Sequence, residues 1–289
     1  MDMKTLMLCL STWLCCTAAW AQLEVGLLAG AANYTGDLSN NSASFYWNET
    51  QLAGGLFARY HVSPLLTVKG AFNYAAVSGT DANSDAAAIR ARNLSFRSDL
   101  FELAVTGEVN LPGFDPYNFN QPVSPYLFAG LGGILMNPTT EYEGERVALQ
   151  PLGTEGQGLS IADQPIRAKY NKVQLVIPFG VGLKVAVAER LNLGLEVGAR
   201  FLLTDYLDDV SGTYVRAAEL ADAPDPLTIA LADRSDTKPE ERQTGDPRGD
   251  ASPRDWYYVA GLTVSYNFLD TGLVRGRRRS KQKVGCKIW

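Results

Sequence analysis

Eight stretches of this 289-residue chain alternate apolar and polar side chains with a period near two. The clearest spans 191–204. There Leu191, Leu193, Leu195, Val197, Ala199 and Phe201 fall on one face, and Asn192, Gly194, Glu196, Gly198 and Arg200 on the other. A period of two is the signature of a strand. Strands of about ten residues with one apolar and one charged face suit a wall between lipid and a polar interior. The expected fold is therefore all-β: a closed antiparallel transmembrane β-barrel of eight strands with short periplasmic turns and long extracellular loops. No run of eighteen apolar residues is present, so no helix is expected to cross a membrane. Many of the 27 glycines sit inside the alternating segments. They would weaken a soluble sandwich more than a tilted, curved barrel.

The predicted strands span 23–32, 51–60, 65–76, 94–111, 126–135, 173–187, 191–204 and 256–268. Their outward residues include Leu27, Leu56, Phe72, Leu103, Phe179 and Leu262. The alternation in the fourth slips near Leu100 and Phe101, which predicts a β-bulge. The glycine-rich fifth is ambiguous in its facing. Connections alternate in length: 61–64, 112–124 and 188–190 are shorter, whereas 34–50, 77–93, 136–172 and 205–254 are long. Short turns belong on the periplasmic side, and even strand parity then puts both termini there. Tyr34, Tyr60, Tyr74, Phe96, Tyr126, Tyr206, Trp256, Tyr257 and Phe268 cluster at strand ends and are expected to form interfacial girdles.

Upstream of the first strand, Lys4, an apolar run over 5–18 and Ala19-Trp20-Ala21 before Gln22 have the form of a secretory signal peptide. The expected organisation is a signal peptide over 1–21, an outer-membrane barrel over 22–269 and a periplasmic tail over 270–289. Cleavage would remove Cys9, Cys15 and Cys16 and leave Cys286, which excludes a disulfide framework within the chain.

Candidate functional residues fall into four groups. The inward positions include Glu24, Glu102, Glu108 and Glu196, with Arg59, Lys69, Lys184 and Arg200. Opposite charges in equal number can pair across a narrow lumen, so they read as a structural plug; a narrow ion path is the alternative. His61, the one histidine, sits at a short turn and reads as an interfacial polar residue, far from where a lipid-modifying enzyme would need it. No Ser-His-Asp set and no metal-spaced cluster accompanies it, so no enzyme activity, cofactor or metal is expected. Gly153-Thr154-Glu155-Gly156-Gln157-Gly158 lacks the Lys-Ser/Thr of a phosphate loop. The span 205–255 holds thirteen Asp or Glu against six Lys or Arg; Asp205, Asp208 and Asp209 could hold Ca²⁺, but the plainer expectation is a solvated acidic surface loop. Finally, the tail carries Arg275, Arg277, Arg278, Arg279, Lys281, Lys283 and Lys287 and no acid after Asp270. It suits an acidic protein face or anionic headgroups. Cys286 within it suits an intermolecular disulfide or a free thiol.

Several strings carry a family resemblance: Arg92-Asn93-Leu94-Ser95-Phe96, Pro125-Tyr126-Leu127-Phe128-Ala129-Gly130, Asn137-Pro138 and Ile177-Pro178-Phe179-Gly180. The most specific are Leu149-Gln150-Pro151-Leu152-Gly153-Thr154-Glu155-Gly156-Gln157-Gly158 and Thr204-Asp205-Tyr206-Leu207-Asp208-Asp209-Val210-Ser211. With Asp255-Trp256-Tyr257 and the near-terminal Cys286, they resemble the PorG-like outer-membrane family of Bacteroidota. The ending Cys286-Lys287-Ile288-Trp289 departs from that family's Cys-Pro-x-Phe. The resemblance implies an eight-stranded barrel that belongs to the type IX secretion and gliding apparatus. Its partners there would be a periplasmic ring lipoprotein and associated proteins, with outer-membrane lipid around the wall and neither nucleic acid nor a small-molecule substrate. The expected function is a non-enzymatic anchor that docks this complex through Cys286 and the basic tail. The alternative is a free-standing barrel with a stabilising or surface-interaction role, working through its acidic loops. The long loops that carry the specific strings would then meet a partner outside or fold inward over the barrel.

Overall fold

The computed structural model describes residues 23–39, 47–114, 122–161, 166–188, 190–235, 243–250 and 254–268. The expected signal peptide and the whole basic tail, Cys286 included, lie outside the described residues.

Among the described residues ten strands form: β1 (Leu23–Thr35), β2 (Gln51–His61), β3 (Leu66–Thr80), β4 (Ser95–Asn110), β5 (Val123–Leu135), β6 (Pro138–Tyr142), β7 (Glu145–Ala148), β8 (Val173–Ala186), β9 (Leu191–Leu202) and β10 (Trp256–Asn267). Eight of them close a ring. β1 pairs with β2, and the ladder runs on through β3, β4, β5, β8 and β9 to β10, which pairs back with β1; every pairing is antiparallel. Closure leaves none of these eight strands with an unpaired edge. The ring's two chain ends, Leu23 and Phe268, meet through a backbone hydrogen bond of 3.1 Å at the end of the barrel that holds the short turns.

The alternation maps directly onto the wall. Leu27, Leu56, Phe72, Leu103, Val181, Leu195 and Leu262 face out and are exposed, while their sequence neighbours are turned inward. In β5 the ambiguity resolves: Leu127, Leu131 and Leu135 face out, and Tyr126, Phe128 and Ile134 face in.

No bulge breaks β4. Its register with β3 is continuous from Leu66↔Val109 to Thr80↔Ser95, and with β5 from Phe101↔Leu135 to Asn110↔Tyr126. Phe96 and Leu100 are simply inward residues, both buried. The apolar phase changes because the interior changes: the lumen is charged around Glu102 and Glu108 and apolar above Leu100.

The girdle also needs correction. Tyr60, Tyr74, Trp256 and Phe268 stand on the outside, but Tyr34, Phe96, Tyr126 and Tyr257 are buried in the interior. Tyr206 stacks on Tyr170 in the loops, with ring centroids 4.7 Å apart. The inward tyrosines have phenol groups that reach acids inside the barrel, which a strand-end position does not reveal.

Inside the long connection 136–172, β6 and β7 form a hairpin that the sequence reading missed. β6 prolongs the line of β5 along the upper end of β4 through Arg97↔Thr139 and pairs with β7 on its other side. Its turn places Glu143 and Gly144 at φ 52° and 83°, the two positive values a type I′ hairpin requires. The Glu143-Gly144 pair between two alternating runs was the available signal.

Candidate functional site

The barrel interior is filled in three levels. Nearest the short turns, Arg59 Nη1 donates to Glu24 Oε1 at 2.7 Å and Nε to Glu108 Oε1 at 2.9 Å, with Glu196 Oε2 3.6 Å from Nη2. Lys69 Nζ reaches Glu196 Oε2 at 2.6 Å, and Lys184 Nζ reaches Glu108 Oε2 at 2.5 Å. The Tyr126 hydroxyl donates to Glu196 at 2.8 Å and lies 3.2 Å from Arg59 Nη2. Higher up, Arg200 Nε approaches Glu102 Oε2 at 3.4 Å, and the Tyr257 hydroxyl donates to the same oxygen at 2.5 Å. Asn73 Nδ2 donates to Glu102 Oε1 at 2.6 Å. All eight candidate lumen residues are thus brought together by strands that alternate them inward, and all eight are buried. Buried charges persist where they are paired and hydrogen-bonded, and the pairs here run across the barrel between strands.

Gly182 makes room for this network. It faces inward, and a Cβ there would stand 2.2 Å from the Tyr126 ring. His61 also belongs to the network rather than to the interface: its Nε2 lies 2.8 Å from Glu24 Oε2 and its Nδ1 2.9 Å from Thr67 Oγ1. The histidine closes the charged level at the turn end. A position two residues past the last inward arginine, and so on the same face of the strand, was the signal that placed it there.

Above the charges lies an apolar level. Leu28, Ala32, Ala53, Ala75, Val77, Leu100, Ile134, Val176, Leu202 and Val259 from the wall pack with Leu38, Leu94, Leu149, Leu152, Leu207, Val210 and Leu231 from the long connections. Full burial of such a side chain contributes roughly 1.5–3 kcal/mol. The long connections therefore fold inward and cap the barrel, the second of the two alternatives open at the sequence level.

The cap is knit by some of its acids, whereas others of the span, such as Asp222 and Asp250, are exposed as expected of a surface loop. Asp205, Asp208 and Asp209 are buried. The Tyr34 hydroxyl lies 2.6 Å from Asp208 Oδ2 and 3.1 Å from Asp255 Oδ1. Thr154 Oγ1 and the Tyr170 hydroxyl donate to the two oxygens of Asp209 at 2.5 and 2.7 Å. Glu155 Oε1 accepts from the Ser211 and Gly212 amides, both at 3.0 Å, and from Arg248 Nη1 at 3.1 Å. The glycines of the 153–158 loop give its backbone the positive φ, +68° at Gly153 and +77° at Gly156, that turns Thr154 and Glu155 into this cluster. Thus the two most specific strings, 149–158 and 204–211, are the two halves of one packed structure. Among the described residues no group of three or more His, Cys, Asp or Glu is placed to hold a metal ion.

Crowding of acids away from water raises their pKa. Burial, then the neighbouring Asp37 and Asp205, push Asp208 well above the usual carboxyl range. Burial and the proximity of Asp208 do the same to Asp255. Burial lifts Asp205 to about 7, helped by Asp37 and Glu155. For Asp209, burial lifts the value to about 6 against the pull of Arg248, Thr154 and Tyr170.

A family model described as a domain of unknown function (DUF6089) matches residues 3–147 and 155–220, and the chain belongs to that family. No curated protein matches it. Among solved structures, Neisserial surface protein A is similar at 11% identity with a TM-score of 0.41, covering 85% of this chain and 97% of that one. The N-terminal β-barrel domain of Pseudomonas aeruginosa OprF is similar at 11% identity and a TM-score of 0.36, with coverage of 85% and 97%. Ail, the attachment invasion locus protein of Yersinia pestis, is similar at 8% identity and a TM-score of 0.37, again over 85% and 97%.

Proposed function

We propose that this family member is a non-enzymatic outer-membrane barrel that anchors a periplasmic protein-secretion complex of the type IX or gliding kind. The observation that carries the reading is an apolar outer wall around a lumen filled with paired charges. Strands of 11 to 16 residues with exposed leucines, valines and phenylalanines pair their backbones around a closed ring, as a lipid environment demands, and reach or exceed the 9–11 residues that a tilted strand needs to cross. A filled interior gives such a body no passage, so contact with partners falls to its ends. On this reading residues 1–21 are the signal peptide, and both termini and the short turns are periplasmic. The basic tail with Cys286 then hangs beside the periplasmic ring lipoprotein and its associated proteins, which the motif resemblance implies as partners.

The test is a non-reducing pull-down from detergent-solubilised outer membranes, with wild type beside Cys286→Ser and a deletion of 276–289. The expected result is a higher-mass adduct that is lost on reduction and absent from Cys286→Ser, with co-purification abolished by the deletion. A monomer in every lane that brings down no periplasmic protein refutes the docking role and leaves the free-standing barrel. That second reading is the weaker one, because Asp205, Asp208, Asp209 and Asp255 of its acidic loop are buried in the cap.

A further inference from the structure

The first and last strands of the ring meet at its long-loop end, where Tyr34 pairs with Tyr257 and Thr35 with Trp256. Asp255 directly precedes β10, and Asp208 belongs to the 204–211 half of the cap. Tyr34, Asp208 and Asp255 are each 1% exposed. Their hydrogen bonds form a chain whose two ends are fixed on cap backbone. Asp255 Oδ2 accepts the Leu207 amide and Asp208 Oδ1 accepts the Val210 amide, both at 2.9 Å. The other oxygen of each carboxyl faces the Tyr34 hydroxyl, Asp208 Oδ2 at 2.6 Å and Asp255 Oδ1 at 3.1 Å. A phenol has one hydrogen to give. Directed at Asp208, it leaves Asp255 Oδ1 against the lone pairs of the phenol oxygen. Two ionised carboxylates therefore cannot both be satisfied, whereas one proton on Asp255 Oδ1 completes the chain from Asp255 through Tyr34 to Asp208. No water has room on the Gly36 side, because a Cβ added there would overlap both the Tyr34 hydroxyl and Asp255 Oδ1.

The surrounding charges supply no substitute for that proton. Asp37, after β1, and Asp205, in the cap, face the pair as further acids. Arg92 feels Asp208, but its guanidinium is clamped on the Asp81 carboxylate at 2.8 and 2.6 Å. Arg248 lies on Glu155 at 3.1 Å. Arg254 is exposed and gives an N–H to the Leu203 carbonyl at 2.9 Å. Asp209 turns to Thr154 and Tyr170. We propose that Asp255, Tyr34 and Asp208 form a one-proton latch that fastens the 204–211 segment of the cap to the seam between β1 and β10. Burial first, and neighbouring acids second, hold both carboxyls well above their ordinary range. The proton is bound more tightly in the folded cap than in the unfolded chain. The latch is thus at full strength below the ordinary carboxyl range and weakens as pH rises through the folded value. Once it is lost, like charges face each other away from water, and the Leu207 and Val210 amides lose their anchors. Leu207 and Val210 are part of the apolar level of the upper lumen, so the latch governs access to that level from the long-loop end.

The experiment uses the full chain in detergent micelles, with folding checked by the mobility of the unheated protein on gels. Asp255→Asn is the decisive variant. Its amide nitrogen can donate to the Tyr34 oxygen while its carbonyl keeps the Leu207 amide, so it reproduces the protonated chain at every pH. Asp208→Asn does the same with the phenol hydrogen turned to Asp255, and takes over if the first variant does not fold. Infrared spectra at pH 8, above the values of about 7 for Asp205 and about 6 for Asp209, should show the carbonyl stretch of a protonated carboxylic acid. The band should persist in Asp205→Asn and vanish in either latch variant. Above pH 8 the protection of the 204–211 amides from hydrogen exchange is measured and corrected for the intrinsic rise of exchange with pH. In the wild type it should fall by up to about tenfold per pH unit, the slope of one proton, and in Asp255→Asn it should stay level. No acid band in the wild type at pH 8, protection that stays level in the wild type, or an equal fall in wild type and variant overturns the proposal.

Discussion

Replacing Arg59 with methionine tests the interior most directly. The turn-end charges balance as three acids (Glu24, Glu108, Glu196) against three bases (Arg59, Lys69, Lys184). Arg59 is the member that touches all three acids, at 2.7, 2.9 and 3.6 Å. It also lies over the Phe57 ring at 4.3 Å. At an effective dielectric constant near 20, one contact at 4 Å is worth about 4 kcal/mol before desolvation. The desolvation already endured by the carboxylates is not recovered when their partner leaves, because the lumen stays closed. Removal of one member of a buried pair generally costs about 3–5 kcal/mol, and Arg59→Met should fall in that range. That corresponds to an unfolding equilibrium roughly two to three and a half decades larger, at about 1.4 kcal/mol per decade. Glu24→Gln alone should cost less, since Arg59 keeps Glu108 and Glu196. The double variant is the informative one. It leaves Lys184 with Glu108 and Lys69 with Glu196, two complete pairs, so it should be more stable than the sum of the singles predicts by roughly 0.5–3 kcal/mol. Reversible urea unfolding in micelles, followed by tryptophan fluorescence, supplies the free energies. An Arg59→Met loss under about 1 kcal/mol, typical of exposed pairs, or strict additivity in the double variant, would refute the plug.

Three further outcomes follow from the same geometry. The cap should loosen as pH rises: Asp205 and Asp209 bind protons in the folded cap more tightly than in the unfolded chain, with values about 7 and 6. Their contribution is therefore present below about pH 4 and lost by about pH 7. Protection of the 205–211 amides from hydrogen exchange, after correction for the intrinsic rise of exchange with pH, should be weaker at pH 8 than at pH 5, and Asp205→Asn should flatten the difference; an opposite slope contradicts the burial argument. In planar bilayers the wild-type barrel should pass no steady current, and deletion of 137–171 alone should not open it, because the charged level below the cap stays filled; a stable conducting step in the deletion variant would show the cap to be the sole barrier. Gly182→Val should prevent the folded gel mobility or cost at least 1–3 kcal/mol, since its side chain would overlap Tyr126; wild-type stability would mean that the ring moves freely and that the Tyr126–Glu196 bond is dispensable.

Much of the wall was legible in the sequence, and the reason is local. A strand that separates two environments must alternate with period two whatever it pairs with, so residues such as Leu193 and Glu196 declare their faces without knowledge of their neighbours. The eight lumen charges were legible for the same reason, since an ionisable residue on the polar phase of such a strand has only the interior to enter. What failed were inferences that assumed a uniform inside and outside. Phe96 and Leu100 looked like a slipped register because the upper lumen is apolar. Tyr34 and Tyr257 looked like girdle residues because strand ends resemble interfaces, yet their hydroxyls serve Asp208 and Glu102 across the barrel.

The sequence by itself determined the eight strands of the ring, the facing of most of them and the division into short and long connections, because these depend on periodicity and turn chemistry within ten or so residues. Tertiary structure alone decided the rest. That Glu24 meets Arg59 and His61, that 149–158 meets 204–211, and that an acid-rich loop becomes a buried cap depend on which groups the closed ring brings within about 3 Å across tens to hundreds of residues of sequence separation. Charge pairing is set by distance and solvent exclusion, and neither exists until the barrel closes.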